Sequence, residues 1–304
     1  MPGKTIRIGT RDSELALWQA HKVQDALEKL GHKTTLVPVK STGDLVLDKP
    51  LYALGITGVF TKTLDIAMHN GTIDIAVHSM KDVPTALPHG IMEAAILPRA
   101  NVKDILVYKN LDFQTSSGII ATGSLRRKAQ WLGRYPDHQM VALRGNVNTR
   151  MQKLADSSWN GAIFAAAGLE RIALKPEQVL DLDWMIPAPA QGAMLVVAME
   201  NDTYCTSALA QLNDPSTQQC VHIEREFLRV LEGGCTAPIG ALATLEKEHI
   251  HFHGALFSLD GKQKIEVKKV MPAQDTQNLG STCAQEVLDA GGLELMQEIK
   301  AQMK

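Results

Sequence analysis

"GIIATGSLRRKAQWLGRY", residues 118–135, sets the architecture. An apolar run is followed by a Gly/Ser/Thr turn and then by a helical pattern, the local signature of a strand feeding a helix. The chain opens with the same device. "TIRIGT" (5–10) runs at once into an amphipathic helix near Ser13–Leu30, with Asp12 or Ser13 as N-cap and Gly31 as the stop. It recurs in "QMVALRGNVNTRMQKL" (139–154) and "GAIFAAAGLERI" (161–172). "KTTLVPVK" (33–40) reads as a further strand, and a helix around Phe60–His69 ends at Asn70-Gly71. "TIDIAVHS" (72–79) alternates Ile73, Ile75 and Val77 as a half-buried or buried strand. Strands alternating with helices over most of the first 200 residues predict an α/β architecture, with a second unit starting near residue 100. Open α/β sheets bind ligands outside the carboxyl ends of their strands, so two such units sharing a cleft would surround a ligand with these turns.

From about residue 216 the pattern changes. A helix (Thr217–Leu231) leads into a loop, then come strand-like segments "GALATLE", "HIHFHGALFS" and "KIEVKKVM", and a final helix from about Ser281. This predicts an α+β third domain.

The 304 residues suffice for two or three domains with real cores. A formal net charge of −2 argues against a general nucleic-acid binder, which is normally basic. "MPGKTIRIGTRDSELALWQA" lacks the apolar core and cleavage site of a signal peptide, and no stretch approaches the ~18 apolar residues of a membrane span. The expectation is a cytoplasmic protein with neither nucleic acid nor membrane as partner. Cys205, Cys220, Cys235 and Cys283 form no CxxC pair, so no metal centre is expected and the thiols should be free in a reducing cytosol.

Arg11, Arg126, Arg127, Arg144, Arg150 and Arg171 all lie in or beside the strand-to-helix turns. Backbone N–H groups and the positive helix end already favour anions there, and arginine adds a planar fork that fits a carboxylate or a phosphate. Ser13, Thr122 and Ser124 can add hydroxyl donors. Any one arginine is commonly a solvated surface residue; six at equivalent turns point to an anion-binding cleft. No Walker A and no GxGxxG follows a strand, which disfavours a nucleotide.

In "DIAVHSMKDVP" (74–84) the strand delivers Ser79, Lys81 and Asp82 at its end. A carboxylate beside a lysine at a cleft is a candidate acid/base or cation-stabilising group, and equally a strand-end cap of the next turn. His78 reads as a packed histidine. In "VLEGGCTAPIGA" (230–241), Gly233-Gly234 and Pro238 mark a loop that makes the Cys235 thiol easy to reach, although a lone cysteine is usually inert.

Together these segments resemble the porphobilinogen deaminase family. The matching stretches are "IGTRDSELALWQA", "DIAVHSMKDVPTALP", "TGSLRRKAQ", "LRGNVNTR", "AAAGLERI", "PAPAQGAM" and "EGGCTAPIG", in the family's order over residues 8–240. The resemblance implies three domains: two α/β domains similar to type II periplasmic binding proteins, and a C-terminal α+β domain. Their expected bounds are 1–98 with 192–214, then 99–191, then 215–304, the return to domain 1 placing "GAMLVVAME" in the first sheet. It further implies a monomeric transferase that condenses four porphobilinogen units onto a covalent dipyrromethane primer and releases linear hydroxymethylbilane. Cys235 would carry the primer through a thioether, a bond suited to a strongly nucleophilic thiol. Ser79, Lys81, Thr122, Ser124, Arg126, Arg127, Arg144 and Arg150 would hold the primer's carboxylates. Arg11, Ser13, Arg144, Arg150, Arg171 and Gln191 would contact substrate, with Gln191 near the crossover between domains. Asp82 would be the catalytic group, stabilising the cation left when porphobilinogen loses ammonia.

One stretch departs from the family pattern LxKxGGKGxF. Here it reads "LYALGITGVF" (51–60), with Ala53 and Thr57 at the lysine positions and Ser41-Thr42-Gly43-Asp44 lacking a further cation. Lys40, two residues from the lost cation and on the same face of an extended strand, can compensate, and Lys62 remains. A full-activity lineage variant is favoured over a weak binder because Asp82, Cys235 and the arginine turns are all present. Two α/β units around an anion cleft also describe a solute-binding protein or a regulator's effector domain, which would need no loop thiol.

Overall fold

The computed structural model describes residues 4–40, 60–114, 117–231 and 237–303. Cys235, Ala53, Thr57 and the 41–44 segment lie outside the described residues. Two compact units emerge, one from residues 4–40, 60–100 and 192–218, the other from 101–191 and 219–303.

The chain begins with β1 (Ile6–Thr10), α1 (Glu14–Lys29) and β2 (Thr34–Pro38). Ser13 is the N-cap of α1, its Oγ accepting from Ala16 N at 3.4 Å, and the helix stops at Gly31, whose φ of +88° needs a residue without Cβ. Lys40 lies past the end of β2 and is exposed, so the strand-face argument for its compensating role does not hold. After α2 (Lys62–His69) comes β3 (Ile75–Ser79), then β4 (Ile91–Ile96). The second unit starts with β5 (Asp104–Tyr108) and continues through β6 (Ile119–Ala121), α3 (Leu125–Arg134), β7 (Gln139–Val141), α4 (Val147–Asp156), β8 (Gly161–Ala165), α5 (Ala166–Arg171) and β9 (Val179–Asp181). The chain then adds β10 (Met194–Met199) and α6 (Thr203–Ala210) to the first unit. It ends with α7 (Pro215–Val230), β11 (Ile239–Glu246), β12 (His249–Phe257), β13 (Lys264–Pro272), α8 (Leu279–Val287) and α9 (Leu293–Gln302).

In the first unit the sheet order is β2-β1-β3-β10-β4. β2, β1 and β3 run parallel, and β10 is antiparallel to both β3 and β4. β3 and β10 are central, so both of their faces are covered. That is why 75–78 and 194–198 are continuously buried instead of alternating. The second unit holds a sheet ordered β7-β6-β8-β5-β9, with β6 parallel to β7 and β8 and β5 antiparallel to β8 and β9.

The third sheet is an antiparallel meander, β11-β12-β13. Lys247 and Glu248 join its first two strands, both at positive φ (+46° and +67°), the backbone that a two-residue hairpin demands. Phe227 of α7 is fully buried against Phe252 of β12, ring centroids 5.3 Å apart. This sheet belongs to the same unit as the second one. Ala129, Ile186, Ala255 and Phe257 form a shared apolar cluster, and Ala241 N donates to Pro187 O at 3.0 Å. The buried Glu224 carboxylate of α7 accepts from Ala190 N (2.6 Å) and from Ala243 N of β11 (2.7 Å), pinning both segments with one side chain.

The expected single final helix is two. Ala290 and Gly291 leave the helical region, Gly291 at φ +101°, and α9 starts afresh at Leu293. The "DAGG" at 289–292 carries the reason: glycine destabilises a helix interior and accepts the left-handed backbone that ends one.

Candidate functional site

β1 and β3 are parallel neighbours, so their carboxyl ends reach the same edge of the first sheet. β1 delivers Arg11 and Ser13. β3 delivers Ser79 and then a single 3₁₀ turn, Met80–Asp82, closed by Val83 N donating to Met80 O at 3.1 Å. These ends enclose a pocket of about 70 Å³ lined by Arg11, Ser13, Gln19, His78, Ser79 and Asp82 among others. Arg11 lies over the Phe60 ring, 4.4 Å from its centroid, which orients the guanidinium by cation–π attraction. Asp82 is half-buried at the rim. Lys81 is half-buried on the same turn but is not among the lining residues.

Gln19 is a lining residue that sequence reasoning missed. It is buried on α1, and its amide pairs with Ser79 Oγ at 2.9 Å, holding that hydroxyl at the pocket wall. Its partner lies sixty residues away, so no local pattern announces it.

His78 is buried and also lines the pocket. Burial first, and the charge of Arg11 second, push its pKa down to about 4. The imidazole is therefore neutral at neutral pH. A histidine depressed in the folded state costs nothing above its unfolded pKa of about 6.5, where both states are neutral. Below that the unfolded chain takes up a proton that the folded one refuses. Stability falls as pH drops from about 6.5 to about 4, by about 3 kcal/mol in all. His78→Asn is expected to flatten the pH dependence of the urea midpoint between pH 7 and pH 4.5 relative to wild type. Parallel curves for the two proteins would contradict this.

In the second unit, β6 ends in the turn Thr122-Gly123-Ser124. Ser124 Oγ accepts from Arg127 N at 3.4 Å as the N-cap of α3, and Ser124 N donates to Thr122 Oγ1 at 3.3 Å. Arg126 and Arg127 turn inward. Arg126 Nη1 donates to Asp104 Oδ2 (2.6 Å) and Ile186 O (2.7 Å). Arg127 sends Nε to Asp104 Oδ1 (2.8 Å) and Nη1 to Ile163 O (2.9 Å), and its Nη2 also lies 2.8 Å from Asp104 Oδ1. Gln191 Nε2 donates to Val102 O (2.8 Å) and Asp104 Oδ1 (3.0 Å). Burial alone would raise the Asp104 pKa, but the two guanidinium groups outweigh it and hold the carboxyl well below the usual range. Neither arginine is a surface residue. Asp104 itself was missed, because it reads as the polar first residue of an apolar strand.

Arg144 is buried in the turn after β7, and burial lowers its pKa. Arg150 lies in the first turn of α4, its Nε donating to the Gly145 carbonyl at 2.8 Å. Burial pushes Arg171 down to about 10. A buried cation penalised in this way is relieved when an anion arrives, which suits Arg144 and Arg171 to carboxylate binding. Arg171 differs from its expected setting, however. It ends α5 and so sits at the carbonyl end of that helix, where the dipole disfavours an anion; only the guanidinium itself can attract one.

The structure thus gathers Arg11, Ser13, Ser79 and Asp82 around one pocket in the first unit. In the second it joins Arg126, Arg127 and Gln191 through Asp104, links Thr122 and Ser124 to the start of the same helix, and bonds Arg150 to the Gly145 carbonyl, next to Arg144. Among the described residues no group of three or more His, Cys, Asp or Glu side chains is placed to hold a metal ion.

Residues 6–207 match the family model described as porphobilinogen deaminase, dipyromethane cofactor binding domain, and residues 218–289 match porphobilinogen deaminase, C-terminal domain. The porphobilinogen deaminase of Moorella thermoacetica is 42% identical over 306 residues, covering 98% of this chain and 97% of that protein. That of Pelobacter propionicus is 39% identical over 305 residues, covering 98% of each. Among solved structures, the chain is similar to an ABC transporter periplasmic substrate-binding protein from Coxiella burnetii, with TM-score 0.44 and 14% identity over 70% of this chain and 94% of that one.

Proposed function

Since the chain belongs to the porphobilinogen deaminase family, a family of transferases with a dipyrromethane cofactor-binding domain, we propose how its own residues serve that chemistry. The observation that carries the reading is the pocket of the first unit, where Asp82 shares about 70 Å³ with Arg11, Ser13 and Ser79. Asp82 faces the pyrrole of a bound porphobilinogen, stabilises the positive charge that develops as ammonia leaves, and takes the ring proton after the new bond forms. Arg11 and Ser13 hold the substrate's carboxylates, and Phe60 beneath Arg11 fixes the direction of that grip. Ser79, held by Gln19, adds a hydroxyl at the wall. Neutral His78 closes the back of the pocket without adding to the positive charge.

Dipyrromethane fits the donor set of the second unit. It brings acetate and propionate groups. Arg126 and Arg127 together carry one more charge than Asp104 neutralises, and Arg126 Nε is buried with no hydrogen-bond partner among the described residues. Arg126, Arg127, Arg144 and Arg150, with Thr122 and Ser124, would hold it. Arg144, Arg150 and Arg171, with Gln191, would take the carboxylates of added units. When bound, the group supplies the primer pyrrole that attacks the deaminated substrate. Cys235 is the attachment residue, on the strength of its "EGGC" motif.

The reading extends to a cytoplasmic monomer that releases hydroxymethylbilane. It keeps three domains, at 1–98 with 192–214, 99–191 and 215–304, on the ground that each holds its own sheet. Cys205, Cys220 and Cys283 are buried as thiols, the form a reducing compartment keeps. No helix among the described residues is long and apolar enough to cross a membrane.

The test is an intact mass under denaturing conditions for wild type and Cys235→Ser. Wild type, after incubation with porphobilinogen, is expected to carry an excess equal to two porphobilinogens less two ammonias, and the variant none. An unmodified wild type, or a variant that keeps both adduct and turnover, would overturn the assignment.

A further inference from the structure

Asp104 has no part in the proposed chemistry, yet it is the centre of a buried polar cluster in the second unit. It is 0% exposed, Arg126 4% and Arg127 6%. One carboxylate receives both guanidinium groups and the Gln191 amide at 2.6–3.0 Å. A side chain that only packed the start of a strand would be apolar, because burying a charge is costly unless its geometry is satisfied. Here the geometry also does something a packing residue cannot. Arg127 meets Oδ1 through Nε and Nη2, so its planar fork is fixed edge-on, while Oδ2 fixes Arg126 by Nη1 alone and leaves its Nε uncommitted. The two arginines are neighbours on one helical turn, and without a common acceptor between them their like charges would drive them apart.

We propose that Asp104 is a positioning residue, which sets the orientation of the Arg126 and Arg127 guanidinium groups before any carboxylate ligand arrives and couples that orientation to Gln191. The proposal rests on the reading that these arginines bind the carboxylates of the primer or of added units. Preorganisation of this kind acts on affinity and loading, because the ordering of the donors is completed during folding and not during binding.

The experiment is a double-mutant cycle on the full chain with Asp104→Asn, Arg127→Lys and the double variant. Two readouts are taken after incubation with porphobilinogen: the fraction of chains carrying the two-unit adduct by intact mass, and KM for porphobilinogen. Asp104→Asn is expected to slow adduct formation by about tenfold or more and to raise KM by a similar factor, with kcat of the loaded fraction within about threefold. The double variant should be no worse than about twofold below the poorer single one, since both changes break the same arrangement. Losses that multiply would show that Asp104 acts independently of Arg127 and would overturn the proposal, as would wild-type loading and KM in Asp104→Asn. If Arg127→Lys and Arg126→Lys leave loading and KM unchanged, the arginine-turn reading itself fails; if they impair both while Asp104→Asn does not, only this inference fails. Should Asp104→Asn not fold, Asp104→Glu keeps the charge and shifts the carboxylate by one methylene. Raised KM with a cooperative unfolding transition supports positioning, and failure of both variants to fold assigns the carboxylate to structure alone and ends the proposal.

Discussion

Asp82→Ala is expected to reduce turnover of porphobilinogen by about 10³-fold or more, with the unfolding temperature within about 2 °C of wild type. The chemical reason is that, on the proposed reading, deamination creates a cation in a pocket already lined by Arg11, and Asp82 is the one carboxylate among its lining residues, so its removal leaves that cation with no negative charge in the lining. The structural reason is that Asp82 ends a turn whose closing bond is backbone to backbone, Val83 N to Met80 O, and whose anchor is the buried Met80. Neither involves the carboxylate. Asp82→Asn separates charge from shape: it keeps a hydrogen-bonding side chain of the same size and should lose nearly as much. The check is the initial rate of product formation with adduct loading measured in parallel by mass. A variant within tenfold of wild type, at equal loading, would remove Asp82 from the catalytic role.

The largest expected effect on stability comes from Phe227→Ala, about 3–5 kcal/mol. Phe227 is 0% exposed and lies edge-on to Phe252. A Cβ on Gly254 would sit 2.7 Å from the Phe227 ring, so the strand has given up a side chain to admit that ring. With the ring gone, Gly254 offers nothing to refill the space, and the cavity stays. Urea denaturation followed by far-ultraviolet circular dichroism measures the loss. A change below about 1 kcal/mol would mean that α7 and the third sheet collapse onto each other more readily than their packing implies.

The strand–turn–helix units were legible because their signals are local. Ser13 caps α1, Gly31 stops it, and Gly71 follows α2 with a positive φ, all within a few residues of the apolar runs they punctuate. What escaped was carried by distance. Six arginines at turns suggested a lined cleft, but nothing near "SLRR" says that Arg126 and Arg127 turn inward, since Asp104 lies 22 and 23 residues away on β5, with β8 between it and β6. Gln19 read as one polar residue of an amphipathic helix, and its partner Ser79 is reached only when β1 and β3 pair. The break at Gly291 was a different failure. Its signal was local and plain in "DAGG", but the apolar periodicity on both sides ran in phase across it and masked the stop.

The clamp at Glu224 bears on how tightly each carboxylate must be held. α7 ends at Val230 and β11 starts at Ile239, and both belong to the unit that carries Arg126, Arg127, Arg144 and Arg150. Glu224 and the bond from Ala241 to Pro187 make these segments one body with that sheet. On the proposed attachment at Cys235, between them in sequence, a growing chain would be tethered to the unit that carries its proposed binding groups, and short flexible tethers hold local concentrations in the millimolar range. If these arginines hold its carboxylates as proposed, each contact can be too weak to retain a free tetrapyrrole and still be occupied throughout elongation. Hydrolysis removes the tether, and with it the avidity, so the bond cleavage that ends synthesis also lets the product go.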